Sequence, residues 1–203
     1  MPNEPVVWVV TIIIAVCVFL KLLHTYLVCE VWDSEGKNAA GKTRSILKRY
    51  AMLRNFKVLS NLQFETERGT IEVENVLIGF FGILIVHTCG MRGEYYKDAT
   101  GEKWTVVSGV FRKSIENPHL QQQKAIAAMR EIFAKNKIYK IPFEKVVFIS
   151  SRSKKTAILI PASDELVLPG RLSSYLDKER FDNDANVDVE QLAGILEAYQ
   201  RKN

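Results

Sequence analysis

The chain has 203 residues, 47% of them hydrophobic and 25% charged, with a formal net charge of +5. That apolar content excludes a chain disordered throughout, and three cysteines, Cys17, Cys29 and Cys89, with no C-x-x-C pair exclude a secreted disulfide framework. Three scattered histidines, His24, His87 and His119, lack zinc-site spacing, and the length suits one domain with an appendage.

Residues 6–28 read VVWVVTIIIAVCVFLKLLHTYLV, interrupted by a single formal charge at Lys21. A helix of that length, at about 1.5 Å per residue, reaches roughly 34 Å and matches about 30 Å of hydrocarbon. Lys21 can snorkel, and Trp8 and Tyr26 stand where interfacial rings are favoured. A cleaved signal peptide fits less well: the start Met1-Pro2-Asn3-Glu4-Pro5 has no positive region, and Tyr26-Leu27-Val28-Cys29-Glu30 has no small-residue cleavage site. The expectation is an extracytoplasmic stretch at 1–5, a single-pass transmembrane helix over 6–28 and a juxtamembrane linker over 29–40. Lys37, Lys42, Arg44, Lys48, Arg49, Arg54 and Lys57 follow with no acid among them, which puts the N-terminus outside and the domain in the cytoplasm, at the cell membrane.

The pattern Gly36 to Thr43 literally satisfies G-x-x-x-x-G-K-[ST], but a phosphate loop needs a buried strand before it, and Glu30, Asp33 and Glu35 stand there instead. Residues 41–53 place Ile46, Leu47, Tyr50 and Leu53 at helical spacing, with bases opposite. A short strand over 56–59, a polar connection over 61–69 and an alternating strand over 70–78 come next. After a turn at 79–82, residues 83–86 form a buried strand whose C-terminal end runs out through His87-Thr88-Cys89-Gly90. Residues 104–107 form a further strand, with 109–112 returning from it. Pro118 opens a helix that runs to about Asn136. Buried strands over 146–149 and 156–160 precede a last helix, capped by Asp188, with Leu192, Ile195, Leu196 and Tyr199 on one face. The order predicts an α/β domain, a mixed central sheet flanked by helices.

Charge is unevenly spread. Residues 37–57 and 124–155 are strongly basic, whereas 164–203 carries more acids than bases. The two basic segments suit anionic lipid or nucleic acid.

The run Glu65-Thr66-Glu67-Arg68-Gly69-Thr70, continuing through Ile71-Glu72-Val73-Glu74-Asn75-Val76 to Gly82-Ile83-Leu84-Ile85-Val86, resembles the nuclease-related domain, NERD. Trp104, then Glu116-Asn117-Pro118 with Gln121, then Val146-Val147-Phe148 repeat later landmarks of that family in order, so the resemblance covers residues 41–165 and leaves 166–203 as a C-terminal extension with a terminal helix. It implies a restriction-endonuclease-like core of the PD-(D/E)XK type, in which carboxylates hold Mg²⁺ and a lysine assists the attacking water. At the positions that matter this chain departs. Glu74 stands for the family's Asp, Asn75 for its His, and His87-Thr88-Cys89 for its Glu-x-Lys, while Gln121 is retained. No upstream helix glutamate stands near Gly41, where Lys42, Thr43 and Arg44 occur. Imidazole is a poor substitute for a hard oxygen ligand, and a thiol carries no positive charge.

The apolar run and the departures from the family motif together predict a membrane-anchored, catalytically degenerate binding module for nucleic acid, anionic lipid or a protein partner, with the family's catalytic positions at Glu74, His87, Cys89 and Gln121 and no cofactor. Two alternatives stand beside it. One is an active nuclease for DNA or RNA, using Mg or Mn with relocated carboxylates such as Glu72, Glu74 or Glu94. The other is a softer metal site built from Glu74 and His87 with Cys89.

Overall fold

The computed structural model describes residues 4–35, 37–66, 69–109, 111–153, 156–161, 163 and 165–200, and within these the side chains of all but 4–7, 24–35, 37 and 111. Helix α1 (Glu4–Glu35) is followed by α2 (Lys37–Met52). The linker expected over 29–40 is thus helical on both sides of Gly36, which lies outside the described residues. The phosphate-loop reading fails for the same reason, since Gly41, Lys42 and Thr43 sit inside α2 and no strand precedes them among the described residues. In α1 every side chain from 8 to 23 is exposed, Trp8, Phe19 and Leu22 among them. Among the described residues no helix is long and apolar enough to cross a membrane. The span expected over 6–28 is therefore not supported. The side chains of 6, 7 and 24–28 lie outside the described residues.

The domain is built on a five-stranded mixed sheet in the order β1-β2-β3-β7-β9. Its members are β1 (Lys57–Thr66), β2 (Gly69–Gly79), β3 (Gly82–Cys89), β7 (Phe143–Ile149) and β9 (Leu166–Val167). The first three run antiparallel, whereas β7 and β9 add parallel to β3. Gly82 makes the β2–β3 turn possible: its φ is +119°, and a Cβ there would stand 2.4 Å from the Pro142 carbonyl oxygen. Residues 61–69, read as a polar connection, instead prolong β1 through Thr66. Leu62 and Phe64 point into the core while polar neighbours face out.

Alternation along β3 sends Leu84 and Val86 to one face and Ile83 and Ile85 to the other. On the first face they pack with Leu47, Tyr50 and Ala51 of α2, and with Leu172, Tyr175 and Leu176 from α4 (Leu172–Leu176) and its flank. On the second they meet Ala125, Met129 and Phe133 of α3 (Pro118–Lys135), and Leu192 and Leu196 of α5 (Val189–Tyr199). Helix α3 starts as expected at Asn117, whose side chain accepts from His119 N at 3.0 Å. Asp188 likewise caps α5 by accepting from Gln191 N at 2.9 Å. Residues 166–200 thus add an edge strand to the sheet and cover to both its faces.

A second sheet, in the order β6-β5-β4-β8, crosses the C-terminal end of β3 and β7. It contains β4 (Glu94–Lys97), β5 (Lys103–Ser108), β6 (Phe111–Glu116) and β8 (Ala157–Ile158). Residues 156–160, expected to form a buried core strand, contribute only this two-residue half-buried strand beside β4. The basic segments also part company. Segment 37–57 lies mainly on α2 and 124–155 begins on α3, so their helices cover opposite faces of the central sheet.

Candidate functional site

The acid of the sequence motif sits at an irregularity. Register runs through Ser60 with Asn75 and Leu62 with Val73, but no bridge joins the intervening Asn61 and Glu74. Asn61 has φ +55°, in the left-handed region, and Val73 and Val76, three residues apart, enter the same core cluster. The strand therefore twists at Glu74. There the carboxylate turns to the next strand, where its Oε2 accepts from Thr88 N at 2.7 Å. Asn75 is fully buried on the other side, its Oδ1 accepting from Ser60 Oγ at 2.8 Å and its Nδ2 without a partner.

Glu74, His87 and Gln121 line one groove of about 450 Å³ together with Glu72, Glu116 and Lys124. Each carboxylate already has a protein donor. Glu72 accepts from Gln63 Nε2 at 3.1 Å, and Glu116 accepts from Gln121 Nε2 at 3.2 Å and pairs with Lys124 Nζ. The Lys124 bond, then that of Gln121, lowers the Glu116 pKa below the usual carboxylate value.

Cys89 is not in this groove. Its side chain is buried with Met91, Tyr95, Trp104 and Ile149 beneath the second sheet. Burial, with the Glu74 charge added, pushes the thiol far above its usual range, so it stays protonated. Glu94, a candidate relocated acid, lies exposed on β4, where Tyr96 Oη donates to it, and does not line the groove.

Two residues that shape the site went unnoticed in the sequence. Gln122, buried at 2% exposure, donates through Nε2 to Ile85 O at 3.1 Å and Val146 O at 2.7 Å, fixing α3 across β3 and β7. Lys124 is the groove's lysine, supplied by α3 rather than by β3. Period alone offered no reason to separate Gln122 from Gln121 and Gln123.

The model of the nuclease-related domain, NERD, matches residues 35–150, more than half of the chain. The chain belongs to the NERD family. The match includes the groove and the core strands β1 to β3 and β7, so the NERD fold here is this mixed sheet with its helices. An uncharacterized protein of Bacillus anthracis is 33% identical over 79 residues, 37% of this chain, and the chain spans about a third of that relative, 36%. No solved structure matches the chain.

The divalent ion that a nuclease-related domain implies does not fit the donors of this NERD groove. Among the described residues no group of three or more His, Cys, Asp or Glu side chains could hold a metal. The Glu74 carboxylate accepts from the Thr88 backbone, and the softer alternative is not assembled, because Cys89 is buried beneath the second sheet and does not line the groove with Glu74 and His87.

Proposed function

We propose that this NERD protein is attached to the cell membrane through α1 and that its nuclease centre is degenerate, leaving the domain to act by binding. The observation that carries the reading is Cys89: the residue at the lysine position of the family motif is walled into an apolar cluster and contributes no charge to the groove. His87 supplies an imidazole where a carboxylate is needed, and Glu74 accepts from Thr88 N. The proposed ligands are nucleic acid or anionic lipid through the basic segments 37–57 and 124–155, or a protein partner. Attachment rests on the exposed apolar side chains of α1, since a soluble monomer rarely shows so large an apolar surface to water. An N-terminus outside and a domain in the cytoplasm would further require α1 to cross the bilayer, and this part of the proposal rests only on the seven bases that follow α1.

One observation favours the alternative of an active nuclease: Glu72, Glu74, Glu116 and Lys124 share the groove, a charge set with the residue types of the family's centre in other positions. A cleavage assay separates the two. Purified protein with Mg²⁺ or Mn²⁺ is expected to leave linear DNA, supercoiled DNA and RNA intact, and His87→Ala to change nothing. Cleavage abolished by Glu74→Gln would establish the alternative.

A further inference from the structure

A larger cavity, about 700 Å³, opens on the α2 side of the sheet, beyond the C-terminal ends of the parallel strands β3 and β7. Gly90 follows β3 and Ser150 follows β7, and the first turns of α2 form the facing wall. Ligands in open α/β sheets enter at the carboxyl ends of parallel strands, where side chains leave the sheet and loops diverge. The polar lining is Lys42, Arg92, Arg152, Ser150, Ser151 and Ser153, with Phe148 below, and among the described residues none of the lining is acidic. Lys42 and Arg152 come from the two basic segments, which otherwise lie apart. Neither forms an ion pair with an acid among the described residues. Lys42, Arg92 and Arg152 line one concave surface with hydroxyl donors, and the repulsion between Lys42 and Arg152 is relieved by an anion between them.

The wall is braced rather than loose. Thr88 Oγ1 donates to Thr43 Oγ1 at 3.1 Å and Thr43 Oγ1 to Ala39 O at 3.0 Å, joining β3 to α2 one residue from Lys42. Ser150 N donates to Cys89 O at 2.9 Å, and Ser151 Oγ and Thr156 Oγ1 lie 2.9 Å apart in the loop that carries Arg152. A fixed frame of this kind lowers the ordering cost of binding.

We propose that this cavity binds a phosphate group, carried either by a soluble phosphate ester or by a phospholipid headgroup, at Lys42, Arg92 and Arg152 with the serine hydroxyls. A tetrahedral anion with several acceptor oxygens suits guanidinium and ammonium donors placed together with hydroxyls. The site lies on the opposite face of the sheet from the Glu74 groove and does not rest on whether that groove is degenerate.

The test uses the full chain in nonionic detergent, titrated with glycerol 1-phosphate and, separately, with short-chain phosphatidylglycerol, short-chain phosphatidylcholine serving as control. Binding of at least one anionic probe is expected, with affinity about tenfold weaker or more in Lys42→Gln/Arg152→Gln. Both residues are exposed, so the variant should keep the urea midpoint of the parent, which is measured alongside. Preference for the soluble ester or for the phosphatidylglycerol identifies the source. Failure of both probes overturns the proposal. So does equal weakening by Lys48→Gln/Lys135→Gln, which removes the same charge elsewhere, or binding confined to an oligonucleotide, which would make the cavity part of a polynucleotide track.

Discussion

Cys89 packs against Tyr95 and Trp104, and its thiol remains protonated because burial and the Glu74 charge both oppose the thiolate. Since thiolate is the reactive form, a chain with Cys17→Ser and Cys29→Ser is expected to react with a thiol reagent only after denaturation; rapid labelling of the native chain would contradict the packing. His119 offers a pH-dependent readout. Burial lowers its pKa below the usual value, Lys145 acts in the same direction, and Glu165, whose Oε2 lies 3.3 Å from Nδ1, opposes them. The unfolded chain therefore takes up this proton near pH 6.5 while the folded chain waits for lower pH, and stability falls as pH drops through that interval. Urea midpoints measured between pH 7.5 and 5 should decline, and His119→Gln should flatten the decline. At this scale the motif positions were legible, because Glu74, His87 and Gln121 do meet. That Cys89 would leave them was not, because its surroundings come from the second sheet and from β7, distant in sequence.

Helix α5 depends on a local signal. Asp188 accepts from Gln191 N, and Asp188→Ala should cost about 1 kcal/mol, read from urea unfolding. The bond network of Gln122 is not local, and its loss should be larger: Gln122→Ala leaves the Ile85 and Val146 carbonyls short of a donor and should cost about 1–3 kcal/mol in the same measurement. The difference explains which elements could be read beforehand. Caps and the Gly82 turn announce themselves within a few residues. The expected strand ends at 59, short of the observed β1, because the polar residues of an edge strand outnumber Leu62 and Phe64, and because Asn61, with its left-handed φ, interrupts the alternation. The strand expected over 156–160 fails in the opposite way, since an apolar run says nothing about which sheet receives it.

On the scale of the molecule, the mixed sheet between helices follows from the order of elements, but the second sheet and the separation of the two basic segments need contacts that no period encodes. Membrane attachment is the property to measure at this level. If α1 holds the protein at the cell membrane in the proposed orientation, sealed cells treated with protease should leave residues 60–203 uncut; digestion there with the membrane intact would refute the orientation. Chain order has a further consequence for synthesis. Strand β9 completes one edge of the central sheet, α4 covers one face and α5 the other, and all three lie after residue 165. While the ribosome still holds them, β7 presents an unpaired parallel edge and both faces of β3 lack part of their cover. Helix α1 has emerged long before. If α1 attaches as proposed, the chain docks first and folds last, spends its most aggregation-prone interval tethered by one end, and meets other newly made molecules only within the plane or patch that holds α1.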